Sequence, residues 1–152
     1  MRTLRVPATV SSLGEVAEFV GQAVVCADLG EKDAYRLRLA TDELVTNVIT
    51  HGFRHRPPGD IELQASISDG RVLLMMVDTA GEFDPTGRDR AVPPAVRPSA
   101  ARWPDEGKAG GFGLALVRMC ADRILYERVG DLNRTIIVVR RSGRGLGERE
   151  DR

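Results

Sequence analysis

The sequence predicts a two-layer α/β sandwich of the α+β kind, in which a mixed, mostly antiparallel sheet packs against three helices. Three observations support this fold class. Apolar residues recur at helical spacing in three segments, apolar and polar residues alternate in short segments, and tight turns separate neighbouring strand-like segments. The chain has 152 residues, which fits one domain with a single core, and we assign this domain to residues 1–140.

Composition narrows the class of protein. Hydrophobic residues make up 42% of the chain and charged residues 29%, which supports a packed core and argues against disorder. Lys plus Arg and Asp plus Glu both total 22, so the overall charge gives no attraction to nucleic acid or to an anionic membrane. We therefore expect no direct nucleic-acid partner and no membrane partner.

The N-terminal segment and the cysteines give little information about function. The N-terminal segment MRTLRVPATV lacks the apolar stretch of a signal peptide, and no run approaches the ~20 apolar residues that span a bilayer. We expect a cytoplasmic protein. Cys26 and Cys120 are isolated within apolar helical patterns, which predicts buried free thiols.

The first elements are a short strand and a helix. Residues 4–6 alternate in polarity and end at Pro7, as in a strand. Ser12 and Glu15 have the spacing of a capping box, and the helix that they begin should stop near Gly30. Its apolar positions follow helical spacing: Leu13, Val16, Val20, Ala23, Val24 and Ala27.

A second helix and a strand hairpin follow. The helix runs from Lys32 to about His51 and has its apolar residues on one arc: Leu37, Ala40, Leu44, Val45, Val48 and Ile49. Strict alternation then predicts a half-buried strand with Ile61, Leu63, Ala65 and Ile67 on one face. A turn at residues 69–70 returns the chain through the apolar run 72–77, which ends at Asp78.

The segment 79–110 is rich in Pro, Gly and Arg, a composition that disfavours long helices and strands. A lid over a binding site and simple disorder both fit it. The glycine-rich run 110–113 then begins a third helix with Leu114, Val117, Ala121 and Ile124 on one side. Strands at about 124–129 and 134–140 close the domain, and residues 141–152 form a flexible polar tail.

Three parts of the sequence contain candidate functional residues. Glu43 and Asn47 lie four residues apart at the border of the apolar arc, where a carboxylate can activate a hydroxyl and an amide oxygen can hold magnesium. Asp78 can accept a hydrogen bond from an exocyclic amine, and the 110–113 run can present backbone N–H groups to phosphate. Each feature alone also fits a bland alternative: a solvated pair, a turn aspartate and a flexible helix start.

In this order along the chain, the three features resemble the GHKL ATPase superfamily, whose Bergerat fold binds ATP. The segments LATDELVTNVITHGF and GGFGLALVRMCADRILYE are similar to the anti-sigma-factor serine/threonine protein kinases within it. The resemblance extends from Leu4 to Arg140 and implies ATP and Mg²⁺ as cofactors.

The resemblance also implies roles for individual residues. Glu43 corresponds to the general base, and Asn47 corresponds to the magnesium ligand beside the nucleotide. Asp78 corresponds to the carboxylate that recognises the adenine amino group. Gly110, Gly111 and Gly113 correspond to the glycine box on the phosphate side, and Thr135 corresponds to a threonine near the adenine. We add Gly81, which lies next to Ala80, as a further nucleotide-binding position.

The sequence departs from the family after Asp78. The usual pattern there is Asp-x-Gly-x-Gly, and its two glycine positions hold Ala80 and Glu82. Glycine is needed where the backbone approaches a ligand closely, so Ala80 can crowd the base and Glu82 can repel phosphate. Gly81 offers partial compensation through a shifted turn.

The function implied by the resemblance is that of an anti-sigma factor with kinase activity. Such a protein phosphorylates an anti-anti-sigma protein of the STAS type, sequesters a sigma factor, and commonly forms a homodimer. The main alternative is a non-catalytic GHKL-fold regulatory module with weak or no nucleotide binding, which Ala80 and Glu82 favour. A histidine kinase catalytic domain ranks last, on the expectation that no dimerisation helix with a phosphoacceptor histidine precedes residue 1.

Two histidines have the spacing of a zinc site. His51 and His55 lie four residues apart, but Gly52 and the prolines at 57–58 indicate that the helix ends there. We therefore expect His51 to border the nucleotide pocket or a partner surface rather than to bind metal.

Overall fold

The structure is a computed structural model that describes residues 1–86 and 113–143. Its sheet has five strands in the order β1-β2-β3-β5-β4, and all the pairings are antiparallel. The strands are β1 (Arg2–Pro7), β2 (Asp60–Ser68), β3 (Arg71–Asp78), β4 (Arg123–Val129) and β5 (Leu132–Arg140). The helices are α1 (Leu13–Cys26), α2 (Glu31–Asn47) and α3 (Gly113–Cys120).

The predicted α+β sandwich is confirmed, although the described strands contain no parallel pair. Two-residue turns join β2 to β3 and β4 to β5, and such turns reverse the chain direction. Asp69 and Gly70 both have positive φ angles, 48° and 70°, which suit the tight turn between β2 and β3. The connection from β1 to β2 passes through both α1 and α2, which returns the chain antiparallel to β1.

One face of the sheet packs against the helices and forms the core. Because side chains alternate across a strand, every second residue of β2, β3 and β5 faces this layer. The fully buried large side chains are Leu37, Ile61, Leu63, Leu74, Ile137, Val6, Val20, Val45, Val72, Val117, Val139 and Thr41. Among the described residues, no helix is both long and apolar enough to cross a membrane.

α1 begins at Leu13, as expected, but its capping differs from the sequence prediction. Ser12 has helical φ and ψ angles of −82° and −13°, and its side chain makes no capping hydrogen bond. A short 3-10 turn over Val10–Ser12 leads directly into the helix, so Ser12 cannot adopt the extended conformation that a capping residue needs. The predicted capping box with Glu15 is therefore wrong.

The end of α1 lies earlier than Gly30. Asp28 takes a left-handed conformation with φ of 51°, and the backbone N–H groups of Asp28 and Leu29 donate to Val25 and Val24. This pair of bonds satisfies the last carbonyls of the helix in a Schellman arrangement. Cys26, in the last turn, is exposed, so the prediction of a buried thiol holds for Cys120 only.

The predicted second helix is present as two parts. α2 ends at Asn47, and a π-helix over Val48–Gly52 continues it. Single π turns widen the helix and often occur at functional sites. The predicted third helix is shorter than expected, because Ile124 already belongs to β4. Most of the predicted lid at 79–110 and of the tail at 141–152 lies outside the described residues.

Candidate nucleotide-binding site

A cavity of about 160 Å³ lies where the π-helix, the end of β3 and the start of β5 meet. Its walls combine apolar side chains with a few polar groups, which is typical of small-molecule sites. The residues that line it are Leu44, Asn47, Val48, His51, Gly52, Arg54, Met76, Asp78, Ala80, Gly81, Glu82, Phe83, Pro85, Leu114, Asn133 and Thr135.

Asp78 is the buried carboxylate of this cavity. It is the last residue of β3, and only 3% of its surface is exposed. Its Oδ1 accepts hydrogen bonds from the Ala80 backbone N–H (3.0 Å) and from Asn133 Nδ2 (2.9 Å). No described residue donates to its Oδ2. One carboxylate oxygen is thus held by the protein, while the other can accept a hydrogen bond from a ligand.

The electrostatics of Asp78 follow from its burial. Burial disfavours the charged form and raises the pKa of Asp78, against the opposing effects of the Asn133 and Ala80 hydrogen bonds and of the Arg128 charge. A buried carboxylate with a raised pKa that lines a cavity is typical of a functional site.

Asn133 is a site residue that the sequence analysis missed. It lies on β5 directly opposite Asp78, is 4% exposed, and lines the same cavity. Asparagine is depleted in strands, so its presence inside a strand otherwise rich in β-branched residues was the available signal. Thr135, which was predicted, lies two residues further on the same face, is 3% exposed, and also lines the cavity.

The structure shows how the chain accommodates alanine at the first glycine position. Ala80 is 2% exposed, and a Cβ atom added to Gly52 would lie 2.7 Å from the Ala80 Cβ. The absence of a side chain at Gly52 therefore makes room for the Ala80 methyl group. The Gly81 backbone N–H donates to the Gly52 carbonyl at 2.9 Å, which fixes the turn against the π-helix. Glu82 is exposed at the cavity rim.

Glu43, Asn47 and Gly113 lie together at the other end of the site. A Cβ atom added to Gly113 would lie 2.5 Å from Glu43 Oε2 and 3.8 Å from Asn47 Nδ2, so a side chain at this position would displace the Glu43 carboxylate. Burial, with a smaller contribution from the Asp42 charge, raises the pKa of Glu43. Asn47 Nδ2 is buried and has no hydrogen-bond partner among the described residues.

The other predicted positions have mixed outcomes. Gly81 lines the cavity, whereas Gly110 and Gly111 lie outside the described residues. His51 lines the cavity, as expected, and His55 follows the π-helix with a positive φ of 64°. Within residues 1–86 and 113–143, no group of three or more His, Cys, Asp or Glu side chains is arranged to hold a metal.

Comparison with known proteins defines the class. The family of histidine kinase-like ATPase domains matches residues 6–140, and the chain belongs to this family. The predicted resemblance to GHKL ATPases is therefore confirmed.

Curated relatives carry kinase and anti-sigma names. The chain is 31% identical over 94 residues to the serine/threonine-protein kinase BtrW of Bordetella bronchiseptica, an alignment that spans 62% of this chain and 61% of BtrW. It is 26% identical over 112 residues to the anti-sigma F factor of Clostridium botulinum, covering 74% of this chain and 71% of that protein.

A solved structure supports the fold. The RsbU and RsbW domains of Rv1364c from Mycobacterium tuberculosis superpose with a TM-score of 0.58 at 13% identity, covering 92% of this chain and 32% of that one. At this identity the likeness concerns the fold alone.

Proposed function

We propose that this chain binds ATP with magnesium and transfers the γ-phosphoryl group to a Ser or Thr of a partner protein. The proposal rests on one observation: a buried carboxylate suited to base recognition lies in the same site as an amide and a second carboxylate suited to phosphate chemistry. Asp78 and Asn47 line the same cavity, and Glu43 lies beside Asn47 at Gly113.

Asp78 supplies the base recognition in this proposal. Its Oδ2, which no described residue engages, accepts a hydrogen bond from the exocyclic amine of adenine. Guanine presents a carbonyl oxygen at the equivalent position, and two acceptors repel each other. Met76 and Leu114 line the same cavity and offer apolar contact to the base. The site should therefore prefer ATP to GTP.

Asn47 and Glu43 serve the phosphate end. An amide oxygen is a suitable ligand for magnesium, which usually also takes oxygens from nucleotide phosphates and water. Asn47 Nδ2 is buried and has no partner among the residues that the structure describes, which fits a side chain whose remaining partner comes from a ligand. Magnesium supplies neutralisation of the charge on the phosphates. Glu43, whose pKa is raised by burial, orients the incoming hydroxyl and accepts its proton.

The names of the relatives suggest the partners. One similar protein is a serine/threonine-protein kinase and another is an anti-sigma F factor. We therefore extend the proposal to an anti-anti-sigma protein of the STAS type as the phosphorylated substrate and a sigma factor as the sequestered partner. A cytoplasmic homodimer belongs to the same proposal.

Phosphoryl transfer tests the proposal directly. Wild-type protein, magnesium and γ-labelled ATP are incubated with each STAS-type protein of the source organism, and label on Ser or Thr is measured. Glu43→Gln should retain ATP binding and lower the transfer rate about 100-fold or more, because a positioned base contributes at least that much. The matched control is Glu31→Gln, the same change at an exposed carboxylate in the first turn of the same helix, which should leave the rate within about threefold of wild type. Equal rates in wild type and Glu43→Gln would contradict the role of Glu43.

A second candidate function rests on Ala80 and Glu82, which occupy the two glycine positions of the family pattern. In this case the fold sequesters a regulator and performs no chemistry. It predicts sigma-factor binding by the wild type with neither label transfer nor stabilisation by ATP.

A further inference from the structure

We propose that Asn133 is the positioning residue that sets the orientation of Asp78 for adenine recognition. The inference rests on the proposed function, because it concerns the same pocket. It places the support of Asp78 on the β4–β5 hairpin, in a chain whose two family glycine positions after this aspartate hold Ala80 and Glu82.

The nitrogen of the Asn133 amide contacts three oxygens of the turn after β3. Nδ2 lies 2.9 Å from Asp78 Oδ1, 3.2 Å from the Ala80 carbonyl and 3.0 Å from the Gly81 carbonyl. One side chain thus holds both the recognition carboxylate and the backbone that follows it. Loss of this amide would leave buried acceptors unsatisfied, which is costly.

The oxygen of the same amide accepts from two donors on β4. The Tyr126 hydroxyl donates to Asn133 Oδ1 at 2.7 Å, and Arg128 NH1 donates to it at 3.0 Å. A flip of the amide is disfavoured, because it would place the nitrogen against the Arg128 guanidinium and the oxygen against three acceptors. The orientation of the Asn133 side chain is therefore set by hydrogen bonds at both its nitrogen and its oxygen.

Arg128 also contacts the turn after β3 directly. Its NH1 also donates to the Ala80 carbonyl at 3.1 Å. Together with the Asn133 hydrogen bond, the Arg128 charge opposes the effect of burial on Asp78, which favours the ionised carboxylate that accepts from an amine. The network therefore holds the position of Asp78 and opposes the rise of its pKa on burial.

The test compares ATP and GTP binding by calorimetry in wild type, Asn133→Ala and Asp78→Asn. Asn133→Ala should bind ATP about tenfold or more weakly, with a lower ratio of ATP to GTP affinity, because Asp78 loses a buried partner. A purely structural role would lower the melting temperature and leave that ratio unchanged. Glu127→Gln is the matched control, since Glu127 pairs with Arg134 on the opposite face of the same hairpin and should bind as wild type does.

The outcomes separate the inference from the proposed function. Wild-type affinity and an unchanged ratio in folded Asn133→Ala, with loss of binding in Asp78→Asn, overturn the inference alone. Absence of ATP binding by the wild type overturns the proposed function and the inference with it. If Asn133→Ala does not fold, Tyr126→Phe provides the test, because it removes one donor only. It should weaken ATP binding about fivefold, and unchanged binding would overturn the inference.

Discussion

Two buried aspartates, Asp33 and Asp78, have the same exposure of 3% and opposite electrostatic behaviour. Asp33 lies in the first turn of α2 and accepts from Arg36 NH1 (2.9 Å), the Ser142 backbone N–H (2.6 Å) and the Ser142 hydroxyl (2.8 Å). Despite its burial, these hydrogen bonds and the Arg36 charge lower the pKa of Asp33. Burial instead raises the pKa of Asp78.

The difference is explained by which oxygens have partners. Both carboxylate oxygens of Asp33 accept hydrogen bonds from the protein, and a neighbouring cation balances its charge. Only one oxygen of Asp78 does so among the described residues, and the residue lines a cavity. Burial alone therefore does not identify a functional carboxylate. An unshared oxygen at a cavity wall is the more informative feature.

The largest effect is expected from removing the fully partnered carboxylate. Asp33→Ala should lower the free energy of unfolding by about 2 kcal/mol, because it removes the acceptor of the Ser142 N–H and hydroxyl and of one Arg36 N–H, while Arg36 keeps its ion pair with Asp122. ATP affinity should not change. Urea denaturation and ATP titration of the same samples measure both quantities.

The control for this variant is Asp28→Asn. Asp28 is exposed and forms a 3.5 Å ion pair with Arg141 in the segment next to Ser142. Asparagine tolerates its left-handed backbone, so stability should change by less than about 0.5 kcal/mol. A stability loss in Asp28→Asn equal to that in Asp33→Ala would show that the buried partners of Asp33 have no special importance.

A smaller effect is the pH dependence, which should have opposite signs at the two residues. Asp78 has a raised pKa, so its contribution to stability falls as the pH rises from about 3.9, the usual value for Asp, to its folded pKa. Asp33 has a lowered pKa, so its contribution is complete above about 3.9 and is lost as the pH falls through its folded pKa. The stability of the protein should therefore respond to acid in opposite directions at these two carboxyl groups.

Denaturation curves from pH 3 upward, with Asp78→Asn for comparison, measure this contrast. The variant keeps an oxygen that can accept from Ala80 and Asn133, and it removes the buried charge. Its stability should therefore increase relative to wild type as the pH rises above about 3.9. A parallel pH dependence of the two proteins would show that Asp78 titrates normally.

Much of the fold was predictable from local patterns. Alternation located β2, a two-residue turn located the β2–β3 hairpin, and helical spacing located α2. α1 begins at Leu13 as expected, but its cap and its end were predicted wrongly, because a 3-10 turn precedes Leu13 and a left-handed Asp28 ends the helix before Gly30. Such choices depend on backbone geometry that spacing does not reveal.

Residues of the candidate site were predicted from the sequence only at positions that match a family motif. Asp78 and Asn47 line one cavity, as their place in the family pattern suggested. Asn133 was missed because its importance comes from pairing with Asp78 across strands that are 55 residues apart in sequence. The fit of Ala80 against Gly52 is likewise a tertiary contact between distant segments, so the sequence alone suggested crowding of the base.

The central claim is that Asp78 Oδ2, which no described residue engages, recognises adenine. Thermal unfolding of wild type and Asp78→Asn with magnesium and either ATP or GTP tests it. ATP at a hundred times its dissociation constant should stabilise the wild type by about 2.7 kcal/mol, a shift of roughly 5 to 10 °C. The account predicts this shift for ATP, a weak shift for GTP, and none for Asp78→Asn. Equal shifts in the two proteins, or no shift of the wild type at millimolar ATP, would contradict it.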